Sequence, residues 1–130
     1  MEILLDTNFL LTCIKQKVDF ISSLNEIIDE KIDFLMPEEV FNELESLSKR
    51  RGEKTRDRAA AKVSLELSEL SNFKKIKLNT KMVDTGIVNF LSKNPKIILA
   101  TLDKTLAARV RKQNETRILT IRDKSQLDIL

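Results

Sequence analysis

The chain has 130 residues, of which 42% are hydrophobic, so one domain can bury a core of its own. It has no His, Tyr or Trp, two Gly and one Cys. These counts exclude histidine acid–base triads, a Cys/His zinc site, a glycine-rich phosphate loop and a disulfide framework. The 23 Lys+Arg against 20 Asp+Glu leave a net charge of +3, which admits a polyanionic partner without requiring one.

In chain order, Glu2 to Leu5 is predicted as a short buried strand ending at Asp6, followed by a helix from Asn8 to about Lys15. The lone Cys13 suits a small core position and a reducing compartment. No basic segment precedes the first apolar run, and Asp6 and Asn8 interrupt it. The expectation is therefore a cytoplasmic chain with no signal peptide and no membrane span. Val18 to Glu30 places Phe20, Ile21, Leu24, Ile27 and Ile28 at helical spacing. Ile32 to Met36 is a second strand, and Pro37-Glu38-Glu39 opens a helix carrying Val40, Phe41, Leu44 and Leu47. A basic stretch, SKRRGEKTRDR, leads into a helix from Arg56 to Leu70. Lys74 to Leu78 alternates as a third strand, and Met82 to Ser92 is helical. Ile97 to Leu102 is a buried strand followed at once by Asp103, Lys104 to Lys112 is a helix, and Arg117 to Ile121 closes as a last strand. The apolar end, Gln126 to Leu130, docks on the core or on a partner. Alternating strands and helices predict one domain over residues 1–130, a three-layer α/β/α fold with a mostly parallel central sheet of about four to five strands.

Asp6 and Asp103 both follow strands, and in open α/β sheets ligands bind beyond the carboxyl ends of the strands. Asp84 opens the helix that precedes the Ile97 strand, and Glu43 lies at the border of an apolar helical stripe. Converging carboxylates repel one another and need a compensating charge. With no His available, an oxygen-ligated Mg²⁺ or Mn²⁺ is the natural one. Each acid alone also has an ordinary explanation: Asp6, Asp84 and Asp103 as helix caps, Glu43 on a solvated face.

Four segments in order, LLDTNFLL, PEEVFNELESL, MVDTGIVNFL and ILATLDKTLAARVRK, resemble the motifs of the PIN-domain family of metal-dependent nucleases. The resemblance implies an acidic pocket of Asp6, Glu43, Asp84 and Asp103. Asp6 and Asp103 would bind metal directly, Asp84 directly or through water, and Glu43 from behind them. Asn8 and Thr101 fall where the family supports its first and fourth acids. The implied activity is Mg²⁺- or Mn²⁺-dependent endoribonuclease hydrolysis leaving a 5′-phosphate and a 3′-hydroxyl. Thr85-Gly86 after Asp84 and Lys104 after Asp103 depart from the further acids or aromatics many members carry there, which leaves one ion or two. Two biological roles are consistent with the motifs, RNA processing with a ribosome-assembly partner and a toxin nuclease paired with an antitoxin. A homodimer is implied by the family. A non-catalytic PIN-like RNA- or protein-binding module is the alternative, and a phosphoacceptor receiver domain is disfavoured because only Asp6 stands beside the first strand.

For RNA phosphates the sequence offers Lys49, Arg50, Arg51, Lys54, Arg56 and Arg58, and after the fourth motif Lys104, Arg109, Arg111 and Lys112. The first group is equally a solvated basic turn.

Overall fold

The computed structural model describes residues 1–52, 54–123 and 125–130; Glu53, inside the basic stretch, lies outside them. Six strands form one sheet in the order β3-β2-β1-β4-β5-β6: β1 Glu2–Leu5, β2 Asp33–Pro37, β3 Lys74–Ile76, β4 Ile98–Ala100, β5 Ile118–Arg122 and β6 Gln126–Ile129. All pairings are parallel except β5 with β6. The helices are α1 Thr7–Lys15, α2 Phe20–Ile27, α3 Glu38–Lys49, α4 Thr55–Leu70, α5 Val83–Lys93 and α6 Lys104–Gln113.

The strand order explains which face each helix covers. The chain steps outward from β1 to β2 to β3, returns past β1 to β4, then continues to β5. Right-handed crossovers place the helices on one face during the outward steps and on the other after the reversal. Ile3, Leu5, Phe34, Met36, Ile98 and Ala100 accordingly meet the buried residues of α1 to α4. Leu4, Leu35 and Leu99 point the other way, onto Ile87 and Leu91 of α5 and Leu106 and Val110 of α6. The period-two alternation of the strands divides the core into these two halves.

The larger half is keyed by phenylalanines. Phe9, Phe20, Phe34 and Phe73 are all buried, with Phe9–Phe20 and Phe20–Phe34 centroids 5.4 Å apart in edge-to-face contact. Ile27 departs from its expected place, being 71% exposed. Helix α2 ends there, and Ile28 is already extended, so the helical stripe has no further turn in which to bury it.

The strand count corrects the sequence expectation of four to five, and β5 is not the last strand. Residues Gln126–Ile129 add an antiparallel edge, with Thr120 opposite Asp128 and Ile121 opposite Leu127. Arg122 forms an ion pair with Asp128 across that pair. The segment alternates weakly and includes a charge, so only its pairing with β5 identifies it as a strand. Among the described residues no helix is long and apolar enough to cross a membrane.

Candidate active site

The reversal in strand order falls between β1 and β4, which are hydrogen-bonded neighbours. This is the topological switch point, where the two connections leave the sheet on opposite faces and open a crevice. Asp6 leaves β1 there and Thr101 leaves β4. The ladder continues one step past the strands, because Asp6 N–H donates to the Ala100 carbonyl at 3.0 Å.

Asp6 is only 8% exposed. Its Oδ1 accepts from Thr7 N–H at 2.9 Å and its Oδ2 from the Thr101 hydroxyl at 2.8 Å. Helix caps ordinarily bond the second or third amide of the helix; Asp6 bonds the first and turns its other oxygen to β4. Burial pushes its pKa above the ordinary carboxylate value, opposed by these two hydrogen bonds and reinforced by the charges of Asp84 and Glu43. The three acids therefore share one electrostatic environment.

Thr101 links two acids. While its hydroxyl donates to Asp6, its oxygen accepts from Asp103 N–H at 3.1 Å. Asp103 itself is an ordinary helix cap: Oδ1 accepts from Thr105 N–H at 2.9 Å and Leu106 N–H at 3.1 Å. Both bonds fall on Oδ1, so capping does not occupy Oδ2.

Glu43 reaches the crevice from α3, whose Val40 and Leu44 are buried beneath it. Its Oε2 accepts from the Thr7 hydroxyl at 3.0 Å, so Thr7 bridges Asp6 and Glu43 as Thr101 bridges Asp6 and Asp103. Asp84 is exposed in the first turn of α5. The segment leading to it is fastened by Glu39, whose two carboxylate oxygens accept from Leu78 and Asn79 N–H at 3.2 Å each. Gly86 fits against the same segment; a Cβ at that position would meet Thr80 Cγ2 and lie 2.9 Å from Leu78 Cβ. Arg109 of α6 donates to Thr85 at 3.2 Å.

Sequence reasoning missed Thr7 and Glu39. Thr7 lay in plain view inside Asp-Thr-Asn. Glu39 carried only the signal of a helix first-turn acid, and its partners lie 39 and 40 residues away. Asn8 is exposed on the outer side of α1.

The basic residues divide. Lys49, Arg50, Arg51, Lys54 and Arg56 are exposed, yet Arg56 donates to the Lys15 carbonyl at 3.0 Å and Asp57 pairs with Lys15, fastening α4 to the end of α1. Arg58 donates to Thr55. Lys104 and Arg111 flank a cavity beside Asp103, Lys112 is exposed, and Arg109 is engaged with Thr85.

Among the described residues no three acidic or thiol side chains stand close enough to form a ready-made metal cage. The donor set nonetheless suits a hard divalent cation. It is entirely oxygen, Asp6 is buried beside two further negative charges, and Mg²⁺ needs few protein ligands because it keeps several waters.

Comparison with known proteins bears on the family and the fold. The chain is 29% identical over 128 residues to ribonuclease VapC4 of Methanocaldococcus jannaschii, covering 98% of this chain and 95% of that protein. The PIN domain endonuclease Utp24 superposes with a TM-score of 0.79 at 25% identity, over 98% of this chain and 90% of its own. VapBC2 from Rickettsia felis, solved bound to a DNA fragment from their promoter, shares the fold at a TM-score of 0.52 and 16% identity, over 92% of this chain and 98% of its own. The family model described as PIN like domain matches residues 3–124, and the chain belongs to that family.

Proposed function

We propose that this chain is a divalent-metal-dependent endoribonuclease, with Asp6, Asp84 and Asp103 holding Mg²⁺ or Mn²⁺ and Glu43 acting through Thr7. The observation that carries the reading is Asp6: a nearly buried carboxylate at the sheet's switch point, tied through Thr101 to Asp103 and repelled by Asp84 and Glu43. A structural cap has no need of such company. The related proteins named ribonuclease and endonuclease support the same activity.

When bound, the cation supplies charge neutralisation at the scissile phosphate and lowers the pKa of a water for attack. The chain's own residues prepare the site. Thr101 and Thr7 N–H aim the two oxygens of Asp6, and Thr7 holds Glu43 beside it. The Asp103 cap fixes that side chain by Oδ1 and leaves Oδ2 for the crevice. Lys104, Arg111 and Lys112, with Lys49, Arg50, Arg51 and Lys54, carry the phosphates of the strand. Cleavage leaves a 5′-phosphate and a 3′-hydroxyl.

For biological role, the run after Asp103 resembles PIN domains of pre-rRNA processing factors, and of the two solved structures the greater likeness is to the endonuclease Utp24. We take these to favour RNA processing alongside a ribosome-assembly partner. The curated relative named VapC4 favours a toxin nuclease held by an antitoxin, and the two roles share one chemistry. The test is cleavage of a structured RNA with Mg²⁺ or Mn²⁺ by wild type, Asp6→Asn and Asp103→Asn. Each variant should fold and lose activity by about a thousandfold. Metal-dependent cleavage surviving in the purified double variant, or salt-sensitive RNA binding by wild type with no cleavage in any metal, would overturn the proposal.

A further inference from the structure

The cavity on the α6 side of Asp103 adjoins the acid crevice, and its apolar walls and Thr120 have no role in the chemistry above. It measures about 380 Å³, inside the range of small-ligand sites, about 300–1,000 Å³. Leu102, Ala107 and Ile118 give it apolar walls. Lys104 and Arg111 stand at its rim on one face of α6, two turns apart. Thr120 lines it from β5, and its hydroxyl makes no side-chain hydrogen bond among the described residues. Leu130 closes one side, held by paired backbone hydrogen bonds with Ile118.

Its position matters as much as its lining. Asp103 and Thr101 belong both to this cavity and to the acid crevice. A polyanionic strand with one phosphate at the acids therefore has its neighbouring nucleotide at the cavity mouth. Apolar walls suit the faces of a base, a free hydroxyl suits its edge, and the two cations suit the flanking phosphate. An acidic peptide would satisfy Lys104 and Arg111 as well, but continuity with the acid crevice favours the strand whose phosphate lies there.

We infer that this cavity is a nucleotide subsite, taking the base next to the scissile phosphate while Lys104 and Arg111 hold the backbone; the inference rests on the ribonuclease reading. No Phe lines the cavity, so the base is held by aliphatic contact and edge hydrogen bonding rather than between rings. Thr120 then sets which base is preferred.

The test is titration of the four ribonucleoside 5′-monophosphates and of ribose 5-phosphate into the full chain without divalent metal, followed by amide chemical shifts. At least one nucleotide should bind at least about tenfold more tightly than ribose 5-phosphate and shift Ala107, Ala108 and Thr120. Ala108→Trp, at an exposed position on the cavity wall, should remove that advantage. Thr120→Val should reorder the bases, and decides the matter if Ala108→Trp does not fold. Equal binding of ribose 5-phosphate and nucleotides, or an advantage unchanged in both folded variants, overturns the subsite. Because no cleavage is read, the two proposals fail separately. A chain that binds the base here but cuts no RNA keeps the subsite and loses the reaction; one that cuts RNA without binding the base does the reverse.

Discussion

The strand-borne half of the acid site and its helix-borne half are built in different ways. Asp6 and Asp103 leave neighbouring parallel strands, and one hydroxyl, that of Thr101, bonds the Asp6 carboxylate and the Asp103 amide. Their separation is set by the β1–β4 register, which cannot shift without breaking the ladder. Asp84 rides on α5, the first helix after the crossover changes face, and no side-chain cap fixes that helix start. Its position depends on what surrounds it: Glu39 on the preceding segment, the missing Cβ of Gly86, and Arg109 on Thr85. The first half is as rigid as the sheet, and the second is as rigid as three local contacts. A crevice with one fixed and one adjustable wall can adjust at α5 without disturbing the core.

That contrast can be broken first at Thr101. Thr101→Val keeps the shape but leaves a buried carboxylate oxygen and the Asp103 amide without partners. Stability should fall by about 1–3 kcal/mol in denaturant titration, cleavage by about 10–100-fold, and Thr101→Ser should recover most of both. A Val variant as active as wild type would separate Asp103 from the site.

Gly86→Ala tests the adjustable wall. Replacing a helical glycine ordinarily gains about 0.5–1 kcal/mol, but here the added methyl runs into Thr80 and Leu78. Overpacking of this kind costs about 1–3 kcal/mol, so the expected sign is a loss. Divalent-metal affinity, read by calorimetry, should weaken while the Asp6–Thr101 pairing persists. A stabilised variant would show that the segment before α5 yields freely.

Glu39→Gln is gentler. One amide oxygen replaces two carboxylate oxygens that accept separate N–H groups, costing about 1 kcal/mol. Cleavage should fall through weaker metal binding, recoverable at high Mg²⁺. Loss that Mg²⁺ cannot recover would place Glu39 in the chemistry itself.

The smallest effect concerns pH. The Asp6 pKa is raised in the folded chain, so the native state holds that proton more tightly than the unfolded state. In chelator its contribution to stability is therefore greatest below the ordinary value of 3.8 and declines as pH rises from there through the folded pKa. Asp6→Asn should remove this decline, melt no lower than wild type at neutral pH in chelator, and respond less to added Mg²⁺. An identical Mg²⁺ response in wild type and variant would mean that the ion binds elsewhere.

Much of this arrangement was legible in the chain. An apolar run ending in Asp reads as a strand delivering an acid to a sheet edge, and two such runs, at Asp6 and Asp103, were enough to predict the crevice. Glu43, which alone reads as a residue on a solvated helix face, entered through the resemblance of PEEVFNELESL to a family motif. Edge pairing was not legible: β6 is short and charged, and its identity comes from β5. Nor was Ile27, whose spacing was helical although the helix stopped beneath it. Glu39 was invisible as a fastener because a carboxylate in a first turn looks the same whatever it bonds.

Sequence alone determined the elements as far as β5 and their order, because hydrophobic periodicity is a local property that each segment carries wherever it is placed. It also narrowed the metal chemistry open to the chain, since without His and with one Cys the donors it can gather are chiefly oxygens. The tertiary structure decided which oxygens share a field and which hydroxyls join them. Thr101 lies 95 residues from Asp6, and only the pairing of β1 with β4 turns that separation into a 2.8 Å hydrogen bond.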